Sequence, residues 1–182
     1  MERPFLKGQK VYLRALQESD ADGNYLGWFN DAEVCAENSH HRFPMTRESL
    51  LQYVRAIDWS PDDFVMAIVA TEADVHIGNI ALQSIDRVNR SAEYAIVLGE
   101  KDYWRGGFGR EASDLLIRHG FDQLNLQRIY LGTPENNAGM RRLAESLGMR
   151  EEGRQRRAFF KSGAYEDIIL YGLLSEEFTP RM

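Results

Sequence analysis

The most restrictive feature of the sequence is a glycine cluster, Arg105-Gly106-Gly107-Phe108-Gly109-Arg110, placed between an expected strand and an expected helix. Glycine lets the backbone turn tightly and approach a ligand without a Cβ in the way. The first amides of the following helix have no partners inside that helix and lie at the positive end of its dipole. Such a turn is typical of a phosphate-binding site, although a plain tight connection would also explain the glycines.

The spacing of these glycines differs from two common phosphate-binding motifs. No Lys-Ser or Lys-Thr pair follows the cluster, as a Walker loop requires. The six-residue glycine spacing of dinucleotide-binding folds is absent as well. The cluster therefore indicates a phosphate loop of another kind.

Apolar periodicity predicts strands and helices in a mixed order. Strand patterns cover residues 11–16, 64–70, 76–82, 92–98 and 128–133, and two long strands then meet at Ser162-Gly163. Helical patterns begin near Ser19-Asp20, after Thr46, at Phe108 and at Ala138. This order predicts an α/β layered domain with a mixed sheet.

The composition fits one globular domain and disfavours several other classes. Of the 182 residues, 43% are hydrophobic and 27% are charged, so we expect a single domain over residues 1–182. A net charge of −6 disfavours non-specific nucleic-acid binding. The apolar runs are shorter than a membrane span, and the N-terminus has no signal-peptide pattern. With Cys35 as the single cysteine and no Cys/His cluster, we expect no metal site and a cytoplasmic protein.

Four stretches together resemble the GNAT superfamily of acetyl-CoA-dependent N-acetyltransferases, in the form of its ribosomal-protein-alanine N-acetyltransferase branch. The glycine cluster is similar to the family's pyrophosphate loop, and "AEYAIVLGEKDYW" resembles the strand before it. "PENNAGMRRLAESLGMREEG" resembles the family's Asn-led helix, and "GAYEDIILYGLL" its closing strand. The resemblance covers about residues 9–175. It implies a mostly antiparallel sheet of about seven strands, splayed after the fourth, with about four flanking helices.

The resemblance also implies where acetyl-CoA binds. Backbone amides from Arg105 to Arg110 would bind the pyrophosphate, and the backbone of Val97, Leu98 and Gly99 would pair with the pantetheine arm. Asn137 would bind the same arm through its side-chain amide, although Asn here also fits simple helix capping.

Several positions depart from the family pattern. Trp104 stands where many family loops begin with Gln or Arg. A tyrosine that often protonates the departing thiolate falls at Ala144, and a glutamate that some members use as base falls at Gly132. A serine that often follows the leading Asn falls at Met140. The motifs for the cofactor are thus present, and the familiar catalytic pair is missing.

Glu93 is our first candidate for the general base. It lies in an otherwise apolar strand, five residues before Leu98, where a carboxylate would be partly desolvated. A glutamate that faces solvent or pairs with an arginine is the alternative. The resemblance implies that a backbone N–H near Leu98 stabilises the oxyanion.

The acceptor side is expected in the polar stretch after the first helix. This region shapes the acceptor pocket in the resembled family. Acidic groups there would suit a cationic amine, and a loop histidine could serve as base or acceptor contact. The candidates are Trp28, Asn30, Asp31, Glu33, His40 and His41.

A basic cluster near the C-terminus stands out in this acidic chain. We expect it to bind the 3′-phosphate of the cofactor or a phosphorylated acceptor, unless it forms ion pairs with neighbouring glutamates. Its members are Arg141, Arg142, Arg150, Arg154, Arg156, Arg157 and Lys161.

Together these features predict an enzyme that transfers an acetyl group directly to a primary amine in a ternary complex. The acceptor would be a protein N-terminal amine, a small amine or an amino sugar, and the protein a monomer or homodimer. Two alternatives are a non-catalytic acyl-CoA-binding protein and an acyltransferase for a longer acyl chain.

Overall fold

A computed structural model describes residues 4–179. Its strands are β1 (Leu6–Lys7), β2 (Val11–Ala15), β3 (Phe64–Ala70), β4 (Val75–Asp86), β5 (Ser91–Leu98), β6 (Arg128–Pro134), β7 (Arg150–Lys161) and β8 (Ala164–Leu174). Its α-helices are α1 (Tyr25–Phe29), α2 (Arg47–Ile57), α3 (Phe108–Asp122) and α4 (Ala138–Ser146). Short 3₁₀ turns cover Glu18–Asp22, Lys101–Tyr103 and Ser175–Glu177.

The strands form one sheet in the order β1-β2-β3-β4-β5-β6-β8-β7. Neighbouring strands are antiparallel except for β5 and β6, which are parallel. The predicted mixed sheet is therefore confirmed, with eight strands because the two-residue β1 adds one at the edge.

The sheet opens between β5 and β6. These strands pair only from Ser91↔Arg128 to Glu93↔Tyr130, whereas β5 remains paired with β4 as far as Leu98. The second half of β5 thus has one neighbouring strand instead of two. This is the predicted splay, because β5 is the fourth strand when the short β1 is not counted.

Helices cover both faces of the sheet and create two cores. One core packs α3 and α4 on one face and includes Leu116, Ile129 and Tyr171. The other packs the 3₁₀ turn at Glu18–Asp22, α1 and α2 on the opposite face and includes Trp28 and Leu50. Each face is supplied by alternate residues of the strands, as the pleat requires.

Local signals explain most element boundaries. Thr46 caps α2, since its hydroxyl accepts a hydrogen bond from the Ser49 N–H at 3.2 Å. Ser162 and Gly163 both have positive φ, which suits the tight β7–β8 turn. The predicted first helix is interrupted, since a 3₁₀ turn ends at Asp22 and α1 begins only at Tyr25. Among the described residues, no helix is long and apolar enough to cross a membrane.

Candidate active site

The opening between β5 and β6 leads into a cleft of about 660 Å³. This volume lies in the range of ordinary small-molecule sites. The cleft is bounded by the end of β5, the glycine loop, the start of α4 and part of the loop between α1 and α2. The lining residues used below are Glu33, Glu37, Ile96, Val97, Leu98, Trp104, Arg105, Gly107, Gly109, Arg110, Asn137 and Arg142.

The glycine loop presents the N-terminus of α3 to this cleft. Gly107 has φ +85° and precedes the first helical residue, Phe108, while Arg105 also has positive φ at +62°. Helix geometry leaves the N–H groups of Phe108, Gly109 and Arg110 without intrahelical acceptors. A Cβ at Gly109 would lie 3.1 Å from Leu98 Cδ1, so glycine lets α3 pack closely on β5. The arrangement is a ready anion site.

Side chains anchor this loop from both sides. The Lys10 ammonium donates to the Gly106 carbonyl at 2.9 Å. The Arg110 guanidinium donates to Asp114 at 2.9 Å and to the Ser146 carbonyl at the end of α4. Because its side chain is used in these contacts, Arg110 offers the cleft mainly its backbone N–H.

Two residues near the end of β5 direct their backbone N–H and C=O groups into the gap between β5 and β6. The sequence predicted only one of them, Leu98. The Gly99 N–H donates to the Ile77 carbonyl at 2.9 Å, so it faces β4. Since peptide groups alternate in direction along a strand, Val97 also faces β4 and the groups of Ile96 and Leu98 face the gap. The Leu98 carbonyl accepts from Trp104 Nε1 at 2.8 Å, which fits this direction.

The predicted pairing through Val97 and Gly99 is therefore corrected. Both N–H groups point toward β4, and Gly99 lies outside the lining of the cleft, under the Trp28 ring. The register between β4 and β5 determines which peptide groups are available, and the sequence does not reveal that register. Had one hydrogen-bonded pair between β4 and β5 been known, the alternation of peptide groups along the strand would have shown that Ile96 faces the gap.

Asn137 both caps α4 and lines the cleft. Its Oδ1 accepts from the Met140 N–H at 2.9 Å, which confirms the capping alternative. Its Nδ2 donates to the Glu37 carbonyl at 3.5 Å, so the amide also contacts the loop across the cleft. Asn137 thus belongs to the wall of the cleft as well as to the start of α4.

A second pocket of about 340 Å³ lies on the opposite face of the sheet. It shares Ile96 and Val97 with the cleft, so the two cavities meet at the open half of β5. The pocket is otherwise lined by Tyr25, Phe29, Ser39, His40, Met45, Leu50, Tyr53, Val65, Asn79, Ile80, Ala81, Gln83 and Ala95. A group bound here would approach a ligand in the cleft through the sheet opening.

Three of the predicted acceptor-side residues have structural contacts instead. Trp28 is buried and donates from Nε1 to Glu100 at 2.8 Å. The Asn30 amide bonds the backbone of Leu26 and Met45. Asp31 pairs with Lys101 at 2.8 Å, a contact that lowers the pKa of its carboxyl. None of the three lines the cleft or the second pocket.

The other three predicted residues are divided between the cavities. Glu33 lines the cleft, where it also pairs with Lys101 at 2.5 Å. His40 lines the second pocket with its ring 4.3 Å from the Phe29 ring, measured between centroids. His41 is exposed and lines neither cavity. Of the two adjacent histidines, only His40 is therefore in a position to contact a group bound in the second pocket.

The loop between α1 and α2 is fixed over both cavities by Lys161. From the end of β7, its ammonium donates to the carbonyls of Cys35 at 2.8 Å, Asn38 at 2.9 Å and His40 at 2.5 Å. Burial and the nearby Lys161 charge lower the pKa of His40, so its imidazole is neutral at pH 7. A neutral imidazole next to the sheet opening can accept a proton.

Glu93 does not lie where the sequence placed the base. It lines neither cavity, and it sits in the part of β5 that is still paired on both sides. Leu98 lies five positions further along the strand, which corresponds to about 17 Å. The structure therefore does not bring Glu93 to the meeting point of the two cavities, and its role as the base stays a prediction.

Most of the basic cluster forms structural contacts. Arg154 bridges Glu135 and Asp167, and Arg150 pairs with Glu177. Arg141 donates to the Tyr171 hydroxyl at 3.2 Å. Arg142 alone among the cluster's members lines the cleft, and it is exposed. The ion-pairing alternative is thus confirmed for Arg150 and Arg154, whose acidic partners come from other segments of the chain, while the charges of Glu145 and Glu151 act on Arg141.

Cys35 is unsuited to act as a nucleophile. Its side chain is fully buried and its thiol donates to the Trp28 carbonyl at 3.3 Å. Burial raises the pKa of this thiol, and the thiolate is the reactive form.

Comparisons with known proteins agree with this geometry. Residues 10–150 match the family model described as Acetyltransferase (GNAT) domain. The chain is 30% identical over 175 residues to the SPbeta prophage-derived uncharacterized N-acetyltransferase YokL of Bacillus subtilis, covering 94% of this chain and 93% of the relative. It is 31% identical over 105 residues to spermidine N(1)-acetyltransferase of Vibrio cholerae, covering 58% and 60% of the two chains. A crystal structure of spermidine N-acetyltransferase from Vibrio cholerae in complex with CoA and spermine matches the fold with TM-score 0.84 and 23% identity, covering 92% of this chain and 97% of that one.

Proposed function

This chain belongs to the GNAT acetyltransferase family and is an acyltransferase, and we propose that it transfers the acetyl group of acetyl-CoA to a primary amine. The observation that carries the proposal is the meeting of two cavities at the open half of β5. One cavity has an anion site at a helix N-terminus, and the other has a neutral histidine. The single buried cysteine suits a reducing, cytoplasmic setting.

Acetyl-CoA would lie in the cleft with its pyrophosphate on the glycine loop. The N–H groups of Phe108, Gly109 and Arg110 would donate to the phosphate oxygens, where the helix dipole adds to the attraction. The pantetheine arm would pair with the gap-facing peptide groups of Ile96, next to the Asn137 amide, which leaves the Leu98 N–H for the acetyl group. Exposed Arg142 would contact the 3′-phosphate.

The arm would direct the thioester toward the sheet opening. The Leu98 N–H faces the gap, and its fixed position suits a donor to the carbonyl oxygen of the acetyl group. Such a donor stabilises the negative charge that develops when the carbonyl is attacked. The amine would approach from the second pocket, past Val97.

Transfer would then proceed in one ternary complex. The amine nitrogen bonds to the thioester carbonyl carbon, the nitrogen loses a proton to the neutral His40 imidazole, and the C–S bond breaks. The thiolate of CoA takes up a proton, and the products are an N-acetyl amide and CoA. A thiol with an ordinary pKa near 8.5 leaves without a dedicated acid, which fits alanine at position 144. The scheme uses no covalent acetyl-enzyme, because Cys35 is buried and its thiol is poorly reactive.

Changing Gly107 to valine should weaken acetyl-CoA binding. A β-branched residue does not readily adopt φ +85°, so the first-turn amides would shift and lose one or two charge-assisted hydrogen bonds. We expect a loss of about 2 kcal/mol, or roughly thirtyfold in affinity, by titration calorimetry. Gly163→Val is the matched control, since Gly163 has φ +84° at the remote β7–β8 turn. Equal affinities in two folded variants would contradict the loop assignment.

Arg142→Ala should reduce the preference for CoA over 3′-dephospho-CoA. The side chain lines the cleft, whereas Arg141 next to it is held by Tyr171. The affinity ratio of the two ligands, measured by calorimetry, should fall in Arg142→Ala and stay at the wild-type value in Arg141→Ala. An unchanged ratio in Arg142→Ala would remove this residue from the phosphate site.

His40→Gln should lower kcat by about 10²-fold while the affinity for acetyl-CoA is kept, because glutamine cannot act as the base. In the wild type, activity should fall toward acid pH with an apparent pKa below that of an ordinary histidine, as the imidazole becomes protonated. His41→Gln and Glu93→Gln are controls that should retain most activity. A large loss in Glu93→Gln with none in His40→Gln would restore Glu93 as the base.

A further inference from the structure

The second pocket has a chemical character that bears on which amine it accepts. Its deep walls come from the α1–α2 core, where Tyr25 is 1% exposed and Leu50 is fully buried. Tyr53, which is 37% exposed, connects these walls to the solvent. The pocket therefore presents a mainly aromatic and aliphatic surface that leads from solvent to the sheet opening, with Ser39, His40, Asn79 and Gln83 as its polar residues.

None of the residues that line this pocket is an aspartate or a glutamate. Glu93, which pairs with Gln83 in the β4–β5 register, is not among the lining residues either. Two other carboxylates act on the pocket from behind its walls. Asp20, whose charge reaches Tyr25, is held by Arg14 at 2.7 Å. Asp63, whose charge reaches Tyr53, accepts from Ser60 at 2.8 Å and from the Ser84 N–H at 3.1 Å.

The acidic residues of the loop between α1 and α2 have contacts outside the second pocket. Asp31 and Glu33 both pair with Lys101, and Glu37 lines the cleft on the cofactor side. The acidic residues that the sequence suggested for a cationic amine are therefore not among those that line this cavity.

We propose that the second pocket is the acceptor site and that it takes a monoamine with an apolar aliphatic or aromatic body, in preference to a polyamine. This inference rests on the proposed acetyl transfer, because it identifies the substrate class of the same site. It differs from the substrate named for the spermidine-acetylating relatives.

The reason lies in the cost of desolvating charge. A monoamine loses its one extra proton before its nitrogen attacks, so nothing charged has to remain in the pocket. A diamine brings a second ammonium group that keeps its charge throughout the reaction. Placing that ammonium against the walls of the pocket, where no lining residue is a carboxylate, is unfavourable. The Lys161 ammonium behind the His40 backbone adds repulsion.

Hexylamine and 1,5-diaminopentane provide a matched pair of probes, since the two chains have equal length and differ in a terminal methyl or ammonium group. We expect kcat/KM for hexylamine to exceed that for the diamine by at least about tenfold, since a desolvated ammonium costs several kcal/mol. Turnover would be followed by release of free CoA thiol. Calorimetry on the CoA-loaded protein would measure amine binding separately.

Gln83→Glu should reverse part of this preference. Gln83 lines the pocket, and a carboxylate there would give the second ammonium a partner. The ratio of diamine to hexylamine kcat/KM should rise at least about tenfold, the effect expected for a partly desolvated ion pair. Gln155→Glu makes the same change on exposed β7 outside the pocket and should leave the ratio unchanged.

The outcomes separate the inference from the proposed function. If hexylamine binds the CoA-loaded protein better than the diamine but no thiol is released with either, the acetyl transfer fails and the pocket assignment stands. If the diamine binds or reacts as well as hexylamine, or if neither amine binds, the inference is overturned. An equal ratio in Gln83→Glu and Gln155→Glu would also overturn it.

Discussion

The separation of β5 from β6 after three residue pairs is the constraint on which the site depends. Strand β5 continues along β4 to Leu98, while β6 turns toward β8. The peptide groups of Ile96 and Leu98 therefore face a gap instead of a neighbouring strand. Backbone polar groups in such a place need partners, and a ligand with amide groups along its length can supply them.

The same opening connects the two faces of the sheet. On one face, α3 begins at the glycine loop and directs its free amides into the cleft. On the other face, the α1–α2 core forms the walls of the acceptor pocket. The loop between α1 and α2 lines both cavities, and Lys161 holds it through three backbone carbonyls. The sheet thus keeps two ligands apart except where they react.

Sequence reasoning was reliable where local chemistry determines structure. The glycines at 106, 107 and 109, the Thr46 cap and the Ser162-Gly163 turn each need particular residues at particular positions, so the pattern was visible. It was unreliable where long-range register or pairing decides. The Gly99 N–H points toward β4 because it donates to the Ile77 carbonyl. Asp31 is held away from the second pocket by its ion pair with Lys101, seventy residues further along the chain. The sequence also does not reveal where β5 leaves β6, so it could not show that Glu93 lies in the part of β5 that is paired on both sides.

The central claim is that the pantetheine arm of acetyl-CoA completes the sheet in this gap. Amide hydrogen exchange of β5, followed by NMR with and without acetyl-CoA, tests it most directly. The account predicts that the Ile96 and Leu98 amides become protected when acetyl-CoA binds, whereas Val97 and Gly99, which already face β4, change little. Binding of acetyl-CoA that leaves Ile96 and Leu98 as exchangeable as before would contradict it.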